Sequence, residues 1–119
     1  MERDFKEPVH AERYDDYARA FITSDSAKEK VVCIESDGWL AFKNVRLKQT
    51  SSYIEIKYSA DESGELRLYA DDQLKHVLSV EPYKAGAQTS LVLAIPDRDR
   101  LDMYLSPTTS IRLKTIREK

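Results

Sequence analysis

The feature that most constrains this chain is a period of two. From Trp39 onward, apolar and polar residues alternate in short runs, interrupted by turn-forming residues at intervals of about 8–12. Successive side chains of a β-strand point to opposite faces, so each such run reads as a strand with one apolar and one polar side. Trp39–Leu47 alternates after an Asp37-Gly38 turn signal. In SSYIEIKYSA, Ile54, Ile56 and Tyr58 face one way, and Tyr53, Glu55 and Lys57 the other. In GELRLYA, Leu66 and Leu68 point inward, and Glu65, Arg67 and Tyr69 outward. LKHVLSVE follows as a strand. QTSLVLAIP places Leu91, Leu93 and Ile95 on one face and stops at Pro96; RLDMYLSP does the same with Leu101, Met103 and Leu105. SIRLKTI is the last strand. The punctuation is ADESG, expected to close a hairpin on Gly64, then Asp71-Asp72, the loop EPYKAGAQ and the turn PDRDR. Only residues 12–20, ERYDDYARA, read as a helical turn.

Half-apolar strands at this spacing must bury their apolar sides against one another, which predicts an all-β antiparallel sandwich or barrel. A length of 119 residues predicts a single domain, 1–119, with enough interior for one core. No internal repeat or low-complexity segment interrupts it.

Several function classes are excluded by what is absent. No run of about 18 apolar residues exists to form a membrane-spanning helix. The start, MERDFKEPVHAERYDDY, is charged and lacks the apolar stretch of a signal peptide. The formal net charge is −2, with acids and bases interleaved. Nucleic-acid binding needs a basic stripe, and KTIREK reads only as a solvated tail. The single cysteine, Cys33, has no internal disulfide partner, and its apolar run predicts an inert buried thiol. His10 and His76 share no motif spacing, and no hydrolase, phosphate-loop or metalloprotease motif is present. His76 lies on a strand face with Leu74 and Leu78, as a half-buried histidine would. The carboxylates Asp61, Glu62, Asp71, Asp72, Asp97 and Asp99 fall in turns, where solvation explains them, and no EF-hand-like loop organises them for calcium.

Aromatics remain. A sugar ring has an apolar C–H face that stacks on an aromatic ring, while polar side chains bind its hydroxyls. The outward Tyr53, Tyr69 and Tyr104 alternate with polar neighbours, as a sugar-binding surface would; cross-strand packing explains each of them singly.

AERYDDY, a variable loop and then VVCIESDGWLAFKNVRL resemble the family 6 carbohydrate-binding modules. In that family a Glu-Ala-Glu-like first strand with an Asp-Tyr pair is followed by a Gly-Asp-Trp-Leu-x-Tyr-x-Asn-Val strand. In DGWLAFKNV, Trp39, Leu40, Phe42, Asn44 and Val45 match. The downstream order of strands matches too, so the resemblance covers nearly the whole chain. It implies a jelly-roll β-sandwich that binds glycan without catalysing a reaction and is appended to a glycoside hydrolase. It also shows departures. The family's two end-cleft aromatics correspond to Cys33 and Ala87, and its asparagine before the last strand to Ser110. The resemblance therefore implies an end cleft that is weak or dead. Of the family's calcium ligands only Glu12 is retained, with His10 and Arg112 at the other positions. No cofactor is expected, and Arg112 is expected to replace the metal by pairing with Glu12.

Trp39 is retained, and packing is expected to take more of its surface than a ligand does. If the chain binds a polysaccharide or oligosaccharide, the resemblance points to Trp39, Tyr69 and Tyr104 for stacking and to Asp71 or Asp102 for the hydroxyls. The alternative is a structural or protein-interaction sandwich beside a parent catalytic domain, favoured by the lost aromatics and a charged content of 34%. An extracellular location follows if the chain belongs to a secreted hydrolase, a cytoplasmic one if it is complete.

Overall fold

The structure is a computed structural model. It describes residues 3–4, 9–24, 28–48, 52–71, 75–95 and 99–119. The strands are β1 (Arg3–Asp4), β2 (Val9–His10), β3 (Asp16–Ser24), β4 (Lys30–Arg46), β5 (Ser52–Ala60), β6 (Gly64–Ala70), β7 (Val77–Tyr83), β8 (Gly86–Ile95), β9 (Arg100–Pro107) and β10 (Ile111–Glu118), with a 3-10 turn at Ala11–Arg13. The hydrogen-bonded order is β7-β6-β9-β4-β10-β5-β8. Among the described residues all pairings are antiparallel except the short β1·β4 ladder.

One strand makes this path a sandwich. β4 is 17 residues long. Its first half, through Ile34, pairs with β10, and its second half, from Leu40, pairs with β9. The first layer is thus β7-β6-β9 with the end of β4, and the second is the start of β4 with β10-β5-β8. β3 follows β4 along both layers as an edge strand. β7 and β8, at the two ends of the path, lie against each other, so the sandwich is nearly closed. The result is an all-β jelly-roll sandwich.

The core follows from the alternation. Val32, Ile34, Leu40 and Phe42 of β4 join Leu66, Leu68, Met103 and Leu105 of the first layer and Ile54, Ile56, Leu113 and Ile116 of the second in one cluster. Each such side chain contributes about 1.5–3 kcal/mol by leaving water. Tyr83 is also buried, and its hydroxyl donates to the Thr109 carbonyl at 2.8 Å, so its burial leaves no unmet polar group.

The two layers differ from the sequence expectation where a local signal has more than one use. Asp37-Gly38 does not end a strand. It bends β4 from one layer to the other, with Asp37 at φ 62°. ADESG does not close a hairpin either: β5 pairs with β10 and β8, and β6 with β7 and β9, so the turn crosses between layers. The loop EPYKAGAQ shrinks to Lys84 and Ala85, because β7 runs to Tyr83 and β8 starts at Gly86. The helical reading of 12–20 survives only as the 3-10 turn; from Asp16 the chain pairs with β4, and tertiary pairing overrides local propensity. His76 is exposed and precedes β7 rather than lying half-buried within it. Leu74, Asp72, Asp97 and most of PDRDR lie outside the described residues.

Candidate functional site

The alternation that sends Leu40 and Phe42 inward sends Trp39 and Ala41 to the outer side of the first layer. Tyr104 and Tyr69 share that parity on β9 and β6. The register aligns them: Ala41 faces Tyr104, and Tyr104 faces Tyr69. Trp39, Ala41, Tyr69 and Tyr104 form a second cluster, separate from the core, with Ala18 of β3 against it. Trp39 and Tyr104 meet edge to face with centroids 5.4 Å apart. Such a pair adds about 0.5–1.5 kcal/mol to the area term.

Trp39 is therefore neither a filler of the sandwich core nor an open platform. It is 7% exposed, with Tyr69 at 8% and Tyr104 at 6%, although all three stand on the outer face. Tyr53, on β5 of the other layer, is 55% exposed and belongs to no such cluster.

The two carboxylates expected beside the rings are also brought together. The Asp71 amide donates to the Asp102 carbonyl at 2.8 Å, and the Asp102 amide donates back to Asp71 Oδ1 at 3.1 Å. Asp102 Oδ1 also accepts the amide of Asn44, at 2.8 Å, where β4 bulges and Asn44 takes φ 55°. Both carboxylates thus hold backbone in place at the edge of the aromatic row. Sequence reasoning missed Arg67. It faces Ser106 two residues along from the Tyr69–Tyr104 pair and donates to Asp37 Oδ1 at 2.9 Å, while its buried Nε has no partner among the described residues. Its outward parity was readable; its neighbours on distant strands were not.

The outer side of the second layer is different in character. Arg112 Nε donates to Ser59 Oγ at 3.0 Å, and its two terminal nitrogens each donate to a carboxylate oxygen of Asp61 at 3.1 Å. The pairing of Arg112 with Glu12 expected from the sequence does not form; Glu12 lies 3.8 Å from Lys30 instead. The difference arises because the β10·β5 register puts Arg112 opposite Ser59, next to the turn that carries Asp61. Hydrogen bonding by Arg112, then its charge, holds the Asp61 carboxyl below the usual carboxylate range. Cys33, paired with Arg112, is part-exposed rather than buried; desolvation pushes its thiol up, against the pull of Arg112. A raised thiol is a poor nucleophile at neutral pH. Lys57, Arg112 and Lys114 line a cavity of about 270 Å³ on this face. A second hollow of about 410 Å³, at one end of the sandwich, is lined by Ser36, Asp61, Glu62, Thr109 and Ser110 and has no aromatic wall among the described residues. Among the described residues no three histidine, cysteine or carboxylate side chains gather as a metal-binding group.

No protein-family sequence model matches the chain, and no curated protein matches it by sequence. Solved structures match it over its full length. The module CsCBM6-3 of Clostridium stercorarium, in complex with cellobiose, superposes with a TM-score of 0.82 at 12% identity, over 100% of this chain and 97% of that one. A family 6 carbohydrate-binding module of Clostridium cellulolyticum, in complex with xylose, gives 0.82 at 15% identity over 98% and 99%. A family 43 arabinoxylan arabinofuranohydrolase of Bacillus subtilis, in complex with cellotetraose, gives 0.83 at 10% identity over 100% of this chain but 28% of that one. The fold is that of the carbohydrate-binding modules. Within them it is the family 6 form that the Trp39 strand resembles in sequence.

Proposed function

We propose that this chain is a non-catalytic carbohydrate-binding module, an accessory domain of a glycoside hydrolase, with the family's usual end-cleft aromatics lost. One observation carries the reading: strands distant in sequence bring Trp39, Tyr69 and Tyr104 into one patch, with Asp71 and Asp102 at its edge, on a fold shared along its whole length with sugar-complexed modules. Rings of this kind stack on sugar C–H faces, and carboxylates beside them accept hydrogen bonds from sugar hydroxyls. The loss of the end cleft is supported by Cys33 and Ser110 at two of its positions; the side chain of Ala87 lies outside the described residues. The family's calcium is taken as lost with every ligand but Glu12, since Lys30 lies beside Glu12, and Asp61 beside Arg112.

The low exposure of the three rings supports a second reading, a structural or protein-interaction sandwich beside a parent enzyme. Binding to a panel of neutral polysaccharides, followed by calorimetry with matching oligosaccharides, separates the two. The module reading expects binding that Tyr69→Ala weakens about ten-fold or more, the loss of one stacking ring. Absence of binding to every glycan tested favours the interaction domain.

A further inference from the structure

The cavity on the outer side of the second layer is lined by three cations, Lys57, Arg112 and Lys114, and by Ser59, Ser90 and Val31; no acidic residue lines it among the described residues. The acids that pair with these cations stand further out. Asp61 is 83% exposed against 31% for Arg112, and Glu29 is 52% exposed against 28% for Lys114. Water and salt screen the outer charges more than the inner ones, so the groove keeps a positive potential. Arg112 is fixed by Ser59 and Asp61, which together engage three of its five N–H groups and leave two in a set direction. Val31 gives a buried apolar floor.

The same face carries an aromatic. Phe21 pairs with Cys33, Cys33 with Arg112, and Arg112 with Ser59, so the four form one row. Phe21 is 48% exposed, far more open than the rings of the first layer. Neighbouring strands lie about 4.8 Å apart, which puts Phe21 about 10 Å from Arg112, the span of a disaccharide.

We propose that this groove is a second glycan site, selective for acidic oligosaccharides. The carboxylate or sulfate ester of one sugar takes charge-assisted hydrogen bonds from Arg112, Lys57 and Lys114. Its hydroxyls meet Ser59 and Ser90, and the next sugar lies against Phe21. The proposal rests on the reading of the chain as a carbohydrate-binding module and adds the ligand class.

The test is calorimetry and amide NMR with trigalacturonate, a sulfated galactan oligosaccharide, cellotriose and inorganic sulfate. The expected result is that trigalacturonate or the sulfated oligosaccharide binds more tightly than cellotriose and sulfate, shifts the amides of Lys57, Ser59 and Arg112, and weakens as salt rises. The surface variant Lys57→Gln/Lys114→Gln loses about ten-fold or more in affinity, and Phe21→Ala is also weakened. Equal affinity for acidic and neutral sugars, equal affinity for sulfate alone, or unchanged binding by the double variant overturns the proposal. Cellotriose binding that Tyr69→Ala weakens, with no acidic sugar bound, overturns the groove and leaves the module reading standing. Failure of all three sugars overturns the groove, and the module reading falls with it only when the panel of neutral polysaccharides also fails to bind.

Discussion

Trp39 owes its position to parity. One residue in either direction along β4 it would enter the core with Leu40; as placed, it packs against Tyr104 outside it. Trp39→Ala is expected to cost about 3 kcal/mol in urea denaturation, the low end for a buried tryptophan, because an outer face relaxes more than a core. Phe42→Ala, in the core, is expected to cost more. Asp61 offers a pH test. Its pKa is lowered, so the folded protein takes up the proton less readily than the unfolded chain. The stabilisation is therefore present above the unfolded value and disappears as pH falls through the lower folded one. The effect on stability is small, since the carboxyl stands largely in water. A carbon-13 NMR titration is expected to place the Asp61 midpoint below the free-aspartate value of about 3.9, and Arg112→Gln to return it there.

At the level of the strand, alternation was readable in β5, β6, β8 and β9, and pairing was not. The inward faces of β5, β6, β8 and β9 are those the sequence predicts, because a period of two needs only local information. ADESG and Asp37-Gly38 misled for a common reason. Turn residues specify how the backbone bends, and the same bend serves a hairpin, a crossover between layers or a kink within one strand. The candidate site was legible in part on the same grounds. Outward parity singles out Tyr69 and Tyr104, but neither their shielding nor the row Phe21–Cys33–Arg112–Ser59 follows from one strand alone. Gly38 shows how narrow the kink is. A Cβ there would lie 2.7 Å from the carbonyl oxygens of Ala18 and Arg19, and backbone cannot step aside as a side chain can. Gly38→Ala is expected to lower stability by about 1–3 kcal/mol in thermal or urea unfolding, although alanine suits most strand backbones.

Taken whole, the sandwich presents two outer faces with opposite chemistry on either side of a shared core. One is aromatic and shielded, the other cationic and open. Both layers are tied through β4, but among the described residues the two faces share no side chain. Tyr69→Ala and Lys57→Gln are therefore expected to be additive in stability within about 0.5 kcal/mol, checked by a double-mutant cycle.

The chain holds one tryptophan, and it stands on the shielded face. The molecule thus carries its own optical label for that side. A ligand settling over the aromatic patch alters the indole emission directly, whereas one seated among the lysines leaves the spectrum as it was. A fluorimeter reads which side is occupied without any attached dye.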